Sequence, residues 1–217
     1  MLVSKNRVQR HFLRSKSGGV LKSALALLTV LSAGGVLGWM LLMPGAVQLE
    51  IETRTGFPAT AESMAVNPIG GLSLEGKKLV IGNPGTYGGG DAMLEIESIT
   101  GSASLPSLGR GEIWLYELEM HITRATLVVN ESGRLNLDAF ASRLFSDPVK
   151  GTQLPFFAEK VRLVVDEVVF VDNSKIVPSR HAIRASLDSE RADLEESKEI
   201  FAPLFDLARS VGSLPVR

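Results

Sequence analysis

Residues 23–43, SALALLTVLSAGGVLGWMLLM, contain no charged side chain, and their strongest polar groups are hydroxyls. As a helix rising about 1.5 Å per residue, this run is roughly 31 Å long, which matches a hydrocarbon core of about 30 Å. It therefore reads as a membrane-spanning helix. Charge sets its direction. Lys5, Arg7, Arg10, Arg14, Lys16 and Lys22 precede or begin the run, whereas the segment just after it holds one base, Arg54, against Glu50, Glu52 and Glu62. Positive flanks stay in the cytoplasm. Residues 1–22 are then a cytoplasmic basic segment and 23–43 a single-pass signal anchor in the cytoplasmic (inner) membrane. The rest of the chain lies on the periplasmic or other extracytoplasmic side. A cleaved signal peptide is the competing reading, but its apolar region usually runs to about 7–15 residues, shorter than this one. Gly34 and Gly38 form a GxxxG spacing, which lets two membrane helices approach closely and marks them as candidate positions for a homodimer through the membrane helix. Ordinary glycine content in a membrane helix is the plainer explanation.

About 170 of the 217 residues follow the run, enough for one domain with a sizeable core. The formal net charge of −1 hides a division: every Asp and Glu lies after residue 43, so 44–217 carries a net charge of −7. A domain this acidic lacks the positive face that phosphates require, so no nucleic-acid partner is expected. The absence of cysteine excludes disulfides and thiolate metal sites.

After the run the pattern turns to period two, the mark of half-buried strands. VQLEIETR (47–54) alternates, and FPATAESMAV (57–66) is extended. GLSLEGKKLVIGNPG (71–85) alternates on either side of Gly76, which suggests a bulge or bend there. Asn83-Pro84-Gly85 is a turn, because Pro presets φ and Gly accepts φ > 0; TYGGGD (86–91) prolongs it as a flexible loop. DAMLEIESITGSAS (91–104) is a strand. EIWLYELEMHITRATLVVN (112–130) is long enough for two strands divided near 121–124. RLNLDAFASRLF (134–145) changes to helical spacing, and FAEKVRLVVDEVVFVDNS (157–174) returns to strand with Asp166-Glu167 as a bulge or tight turn. RHAIRASLD (180–188) reads as the last strand. From Glu190, Leu194, Phe201, Leu204, Phe205, Ala208 and Val211 fit one helical face, with Ser189 as N-cap and Pro203 as a break or kink. Its few bases favour packing on the domain's own sheet over binding a membrane surface.

Chemical motifs are weak. Gly71, Gly76 and Lys77 spell GxxxxGK, but Lys78 replaces the hydroxyl residue and no helix follows, so the phosphate loop fails on its own requirements. His11, His121 and His181 are far apart, with no metal-ligand spacing. No nucleophile elbow accompanies a serine. Acids such as Glu95/Glu97 and Glu117/Glu119 alternate with apolar residues as the wet face of a sheet does. Asn130-Glu131-Ser132 matches a glycosylation sequon, a pattern common by chance. The chain is expected to have no catalytic residues, no cofactor and no metal, and not to be an enzyme.

Several stretches together resemble the AsmA-like family of bacterial envelope proteins, which includes TamB-type members. They are the anchor, then GLSLEGKKLVIGNPG (71–85), AMLEIESI (92–99), ITRATLVVNESGRLNL (122–137) ending on Asn136 and Leu137, and VRLVVDEVVFVDNSK (161–175) with Asp172 after the strand. The resemblance implies a membrane anchor and a curved antiparallel sheet forming a taco-like groove over 44–188; with the C-terminal amphipathic helical tail read from spacing over 189–217, the expected fold is mainly β with helices, behind an N-terminal transmembrane helix. It implies lipid handling or envelope biogenesis, with membrane lipids and another envelope protein as partners. On that implication Leu94, Ile96, Leu127, Val129, Leu163 and Phe170 are the candidate lipid-facing residues; a closed core under the tail helix is the alternative for each of them. Seven or eight strands at roughly 4.8 Å would stack to about 35–40 Å, too short to bridge an envelope alone. A scaffold that offers its sheet edges to another envelope protein is the second function class.

Overall fold

A computed structural model describes residues 45–67, 71–146, 153–175, 178–183 and 186–212. The apolar run 23–43, with Gly34 and Gly38, lies outside the described residues. Among those that are described, no helix is long and apolar enough to cross a membrane.

The described residues begin with a helix, α1, over 45–55 where alternation predicts a strand. VQLEIETR fits both periods: Val47 and Ile51 stand four apart and both pack against the core, and Glu50 pairs with Arg54 one turn on. Gly56, at φ 74°, ends α1 with its amide on the Glu52 carbonyl.

Eight strands then build one open, curved, mainly antiparallel sheet. They are β1 (Ala59–Thr60), β2 (Ser63–Asn67), β3 (Leu72–Gly82), β4 (Ala92–Ala103), β5 (Ile113–Val129), β6 (Phe156–Asp172), β7 (Ser179–Ile183) and β8 (Leu187–Leu194). Helix α2 (Leu105–Gly109) links β4 to β5, α3 (Asn136–Leu144) links β5 to β6, and a 3-10 turn at Ser197–Phe201 leads into α4 (Ala202–Gly212). β1 and β2 lie end to end along β3, and β7 and β8 end to end along β6. The eight strands therefore make six columns, about 24 Å wide at the usual strand spacing rather than the stack expected from counting strands.

Four sequence-based expectations change. The long segment 112–130 is one strand, β5, not two. The sheet is not wholly antiparallel: β5 and β6 run parallel, because α3 carries the chain back to the starting end before β6 begins. β8 continues through Leu194, so Ser189 and Leu194 are strand residues and the helical tail starts at Ser197. The loop after Asn83 holds an ordered 3-10 turn with a buried Tyr87. Pro203 stands at the start of α4, where a missing backbone N–H costs nothing.

A transverse irregularity replaces the bend expected at Gly76. Inward residues step by three instead of two at Gly76/Leu79, Ile96/Ile99, Ile122/Ala125 and Val165/Val168. Lys78, Glu97, Thr123 and Asp166 drop out of the ladder between them, and Lys78 takes φ 50°. Gly76 itself stays in register, paired with Ile99 and Met64.

One sheet face is apolar and lies under the helices. Leu79, Ile81, Leu94, Ile96, Met120, Ile122, Leu127, Leu163 and Val165 share a core with Leu137 and Phe140 of α3 and with Ile200, Phe201 and Leu204 of the tail. A file of aromatic rings, Tyr87–Phe57–Phe140–Phe201, ties the covering elements together at centroid distances of 6.0, 5.5 and 6.3 Å. The other face is polar, crossed by rows of ion pairs.

Candidate functional site

The six candidate lipid-facing residues come from three adjacent strands, β4 (Leu94, Ile96), β5 (Leu127, Val129) and β6 (Leu163, Phe170), and the structure brings them onto one face. Leu127 stands opposite Phe170 in the parallel register. Leu94, Ile96, Leu127 and Leu163 are at most 5% exposed, sealed beneath α3 and the tail. Val129 is half-buried and Phe170 is 6% exposed, and these two line a cleft of about 490 Å³.

Local sequence explains why the cleft sits there. At the end of β5, the Asn130 side-chain oxygen accepts hydrogen bonds from the Ser132 amide, the Ser132 hydroxyl and the Arg134 amide, at 3.1, 2.8 and 2.9 Å. Gly133 takes φ 77° in the same turn, which a side chain would resist. The chain doubles back so that Leu135 bridges Val129, and α3 begins at the next residue. The opposite wall is α4, which presents Phe205, Ala208 and Arg209 at helical spacing. Arg209 pairs with Asp206 at 3.1 Å, whereas the Arg134 guanidinium has no partner among the described residues. Asp138 also lines the cleft, from the first turn of α3.

Beside the cleft, two residues from separate sequence motifs meet. Asn136 is fully buried; its amide nitrogen donates to the side-chain oxygen of Asn83 and to the Thr126 carbonyl, both at 2.8 Å. Its side-chain oxygen accepts from the Val128 and Leu137 amides. Asn83 in turn donates to the Asp91 carbonyl. The asparagines of NPG and NL thus lock the 83–91 loop to the start of α3. Asp172, also quoted above, ends β6 by accepting from the Ser174 amide and hydroxyl; that hydroxyl and then Lys175 hold its carboxyl below the usual carboxylate range.

The polar face carries acid–base–acid rows: Glu95–Arg124–Glu167, Glu119–Arg162–Asp188 and Glu117–Lys160–Glu190. The Arg162 guanidinium, hydrogen-bonded to Asp188, lowers that carboxyl below its ordinary value. His121 meets Asp166 at 3.0 Å, and His181 lies on edge strand β7. These pairs are solvent-exposed and read as the ordinary neutralisation of a wet sheet face. Among the described residues no three His, Cys, Asp or Glu side chains could hold a metal ion. Gly71–Lys78, the near-phosphate loop, runs almost wholly within β3.

Sequence reading missed an exposed patch at the opposite end of the sheet. Trp114 and Tyr116 are 40% and 45% exposed, Phe157 packs edge-on against Trp114 at 5.4 Å, and Leu105 and Leu108 of the preceding α2 are exposed too. The run WLY held the signal: bulky residues at three successive strand positions cannot all face one core.

Comparison of the chain with protein-family models, with curated proteins and with solved structures returns no match.

Proposed function

We propose that this chain is a non-enzymatic, membrane-anchored envelope protein of AsmA-like type, acting in lipid handling or envelope biogenesis. The observation that carries the reading is a charge-free apolar run of membrane-spanning length ahead of a sheet whose apolar face stays reachable at one end, at Val129 and Phe170. On this reading 23–43 anchors the chain in the cytoplasmic membrane with the β domain on the outer side. The taco-like groove expected of the AsmA-like family corresponds to the apolar face that α3 and α4 largely fill here. Membrane lipids are its partners.

The test uses the full chain, tagged at its C-terminus and expressed in a two-membrane bacterium. It is expected to stay with the membranes through alkaline carbonate washing, to lose its tag to protease only after the outer membrane is opened, and to carry lipid through purification. A carbonate-soluble chain, a cytoplasmic tag or a lipid-free domain overturns the reading.

A second reading, an assembly adaptor binding another envelope protein through its sheet edges, is favoured by a different feature. Trp114 and Tyr116, exposed with Leu105 and Leu108, are of the types enriched at the centres of protein interfaces, and they sit near the sheet end where β2 and β8 finish. Crosslinking to a partner protein without lipid would decide for it.

A further inference from the structure

The cleft at Val129 and Phe170 has a definable ligand class, an inference that rests on the lipid-handling reading and narrows it. Its floor is a part of the apolar face that the helices leave reachable, at Val129 and Phe170, and Leu135 and Phe205 form its walls. Its volume of about 490 Å³ falls within the roughly 300–1,000 Å³ usual for a site that takes one small ligand. Two guanidinium groups, Arg134 and Arg209, line the cleft in a segment whose net charge is −7. Arg134 is unpaired among the described residues. Arg209 holds Asp206 on its own helix, both side chains mostly in water at 77% and 69% exposure, a pair weak enough to be exchanged for a ligand. The one other acid at the cleft, Asp138, lies in the first turn of α3, where the helix N-terminus offsets its charge.

We propose that this cleft takes a single acyl chain bearing an anionic head, the chemistry of a fatty acid. The chain lies on Val129 and Phe170, and the carboxylate is held by the guanidinium groups of Arg134 and Arg209, which match it in planar geometry.

The experiment uses the full chain in phosphatidylcholine nanodiscs with three photoactivatable diazirine probes in parallel: a long-chain fatty acid, the matching fatty alcohol and a two-chain phosphatidylglycerol. The fatty acid is expected to crosslink to peptides containing Val129–Leu135, Phe170 and Phe205. Capture should fall about ten-fold in the double variant Arg134→Gln/Arg209→Gln, whose exposed positions leave the fold intact. The alcohol should label the cleft weakly in both proteins. Equal capture of acid and alcohol, unchanged by the double variant, overturns the anionic head. Phosphatidylglycerol in the cleft without the fatty acid overturns the single chain. Crosslinks elsewhere on the β domain overturn the cleft but leave lipid handling standing, whereas labelling confined to 23–43 with every probe overturns both.

Discussion

Asn136 shows how one side chain can hold several elements. Its amide joins the end of β5, the start of α3 and the loop from Asn83, and each of its hydrogen-bonding atoms meets a partner inside the core. Replacing it by alanine leaves the Val128 amide, the Thr126 carbonyl and the Asn83 side chain facing a dry gap. Unsatisfied buried groups of this kind cost about 1–3 kcal/mol each before relaxation, so Asn136→Ala is expected to lose roughly 2–4 kcal/mol. Asn83→Ala should cost less, since it removes two side-chain bonds, to Asn136 and to the Asp91 carbonyl, against the four of Asn136. Urea denaturation of both single variants and the double would show a coupling of about 1 kcal/mol. Strictly additive losses would mean the two asparagines act separately. Each residue was visible in the sequence as a turn or motif letter. Their contact was not, because 53 residues separate them and nothing local encodes the pairing.

Among the elements, strands with strict alternation and α3 with its helical spacing were legible, since one face of each had to be apolar. What failed has identifiable causes. Val47, Leu49 and Ile51 satisfy period two and, with Arg54 and Glu50, period 3.6 as well; over eight residues periodicity cannot arbitrate. The parallel pairing of β5 and β6 depends on where α3 returns the chain, a tertiary fact. The cleft was legible only in part: Val129 and Phe170 follow from strand alternation, but Arg134 and Arg209 line it only because of the turn at Gly133 and the docking of α4. Gly76 was read as a bend and has a different role. A β carbon built there falls 2.7 Å from Ile99 Cγ2 and 3.2 Å from Met64 Cε, so β3 carries glycine because its neighbours on both sides close over it. Ile99 is β-branched and cannot swing away at its Cγ2. Gly76→Ala is therefore expected to destabilise by about 1–3 kcal/mol through overpacking. The same substitution paired with Ile99→Ala should recover part of the loss in thermal unfolding; no recovery would put the cost in the backbone instead.

At the scale of the molecule, the residues that leave the ladder in β3, β4, β5 and β6 fall on one line. Lys78, Glu97, Thr123 and Asp166 are near neighbours across the sheet, and the outer columns break on the same line. β1 gives way to β2 opposite Lys78, and β8 to β7 opposite Asp166-Glu167. An irregularity in one strand is a bulge; one shared by every column is a crease, and it increases bend and twist across the whole sheet. The line passes through 121–124 and Asp166-Glu167 without dividing β5 or β6, and it runs through Lys78 while Gly76 keeps its register. On the polar face it is bordered by Lys78–Glu62, Arg124–Glu95, Arg124–Glu167 and His121–Asp166, so charges bridge the strands where the backbone ladder loosens. A crease of this kind is a line of lower local stability inside otherwise long strands. Native-state hydrogen exchange is expected to show it. The amides of Lys78, Glu97, Thr123 and Asp166 should exchange well before those of Met120 and Ile122 in β5 or Leu163 and Val165 in β6, although all lie within the same unbroken strands. Protection that runs evenly through Thr123 and Asp166 would mean that the sheet opens only as a whole, and the crease would then be a feature of shape without a dynamic counterpart.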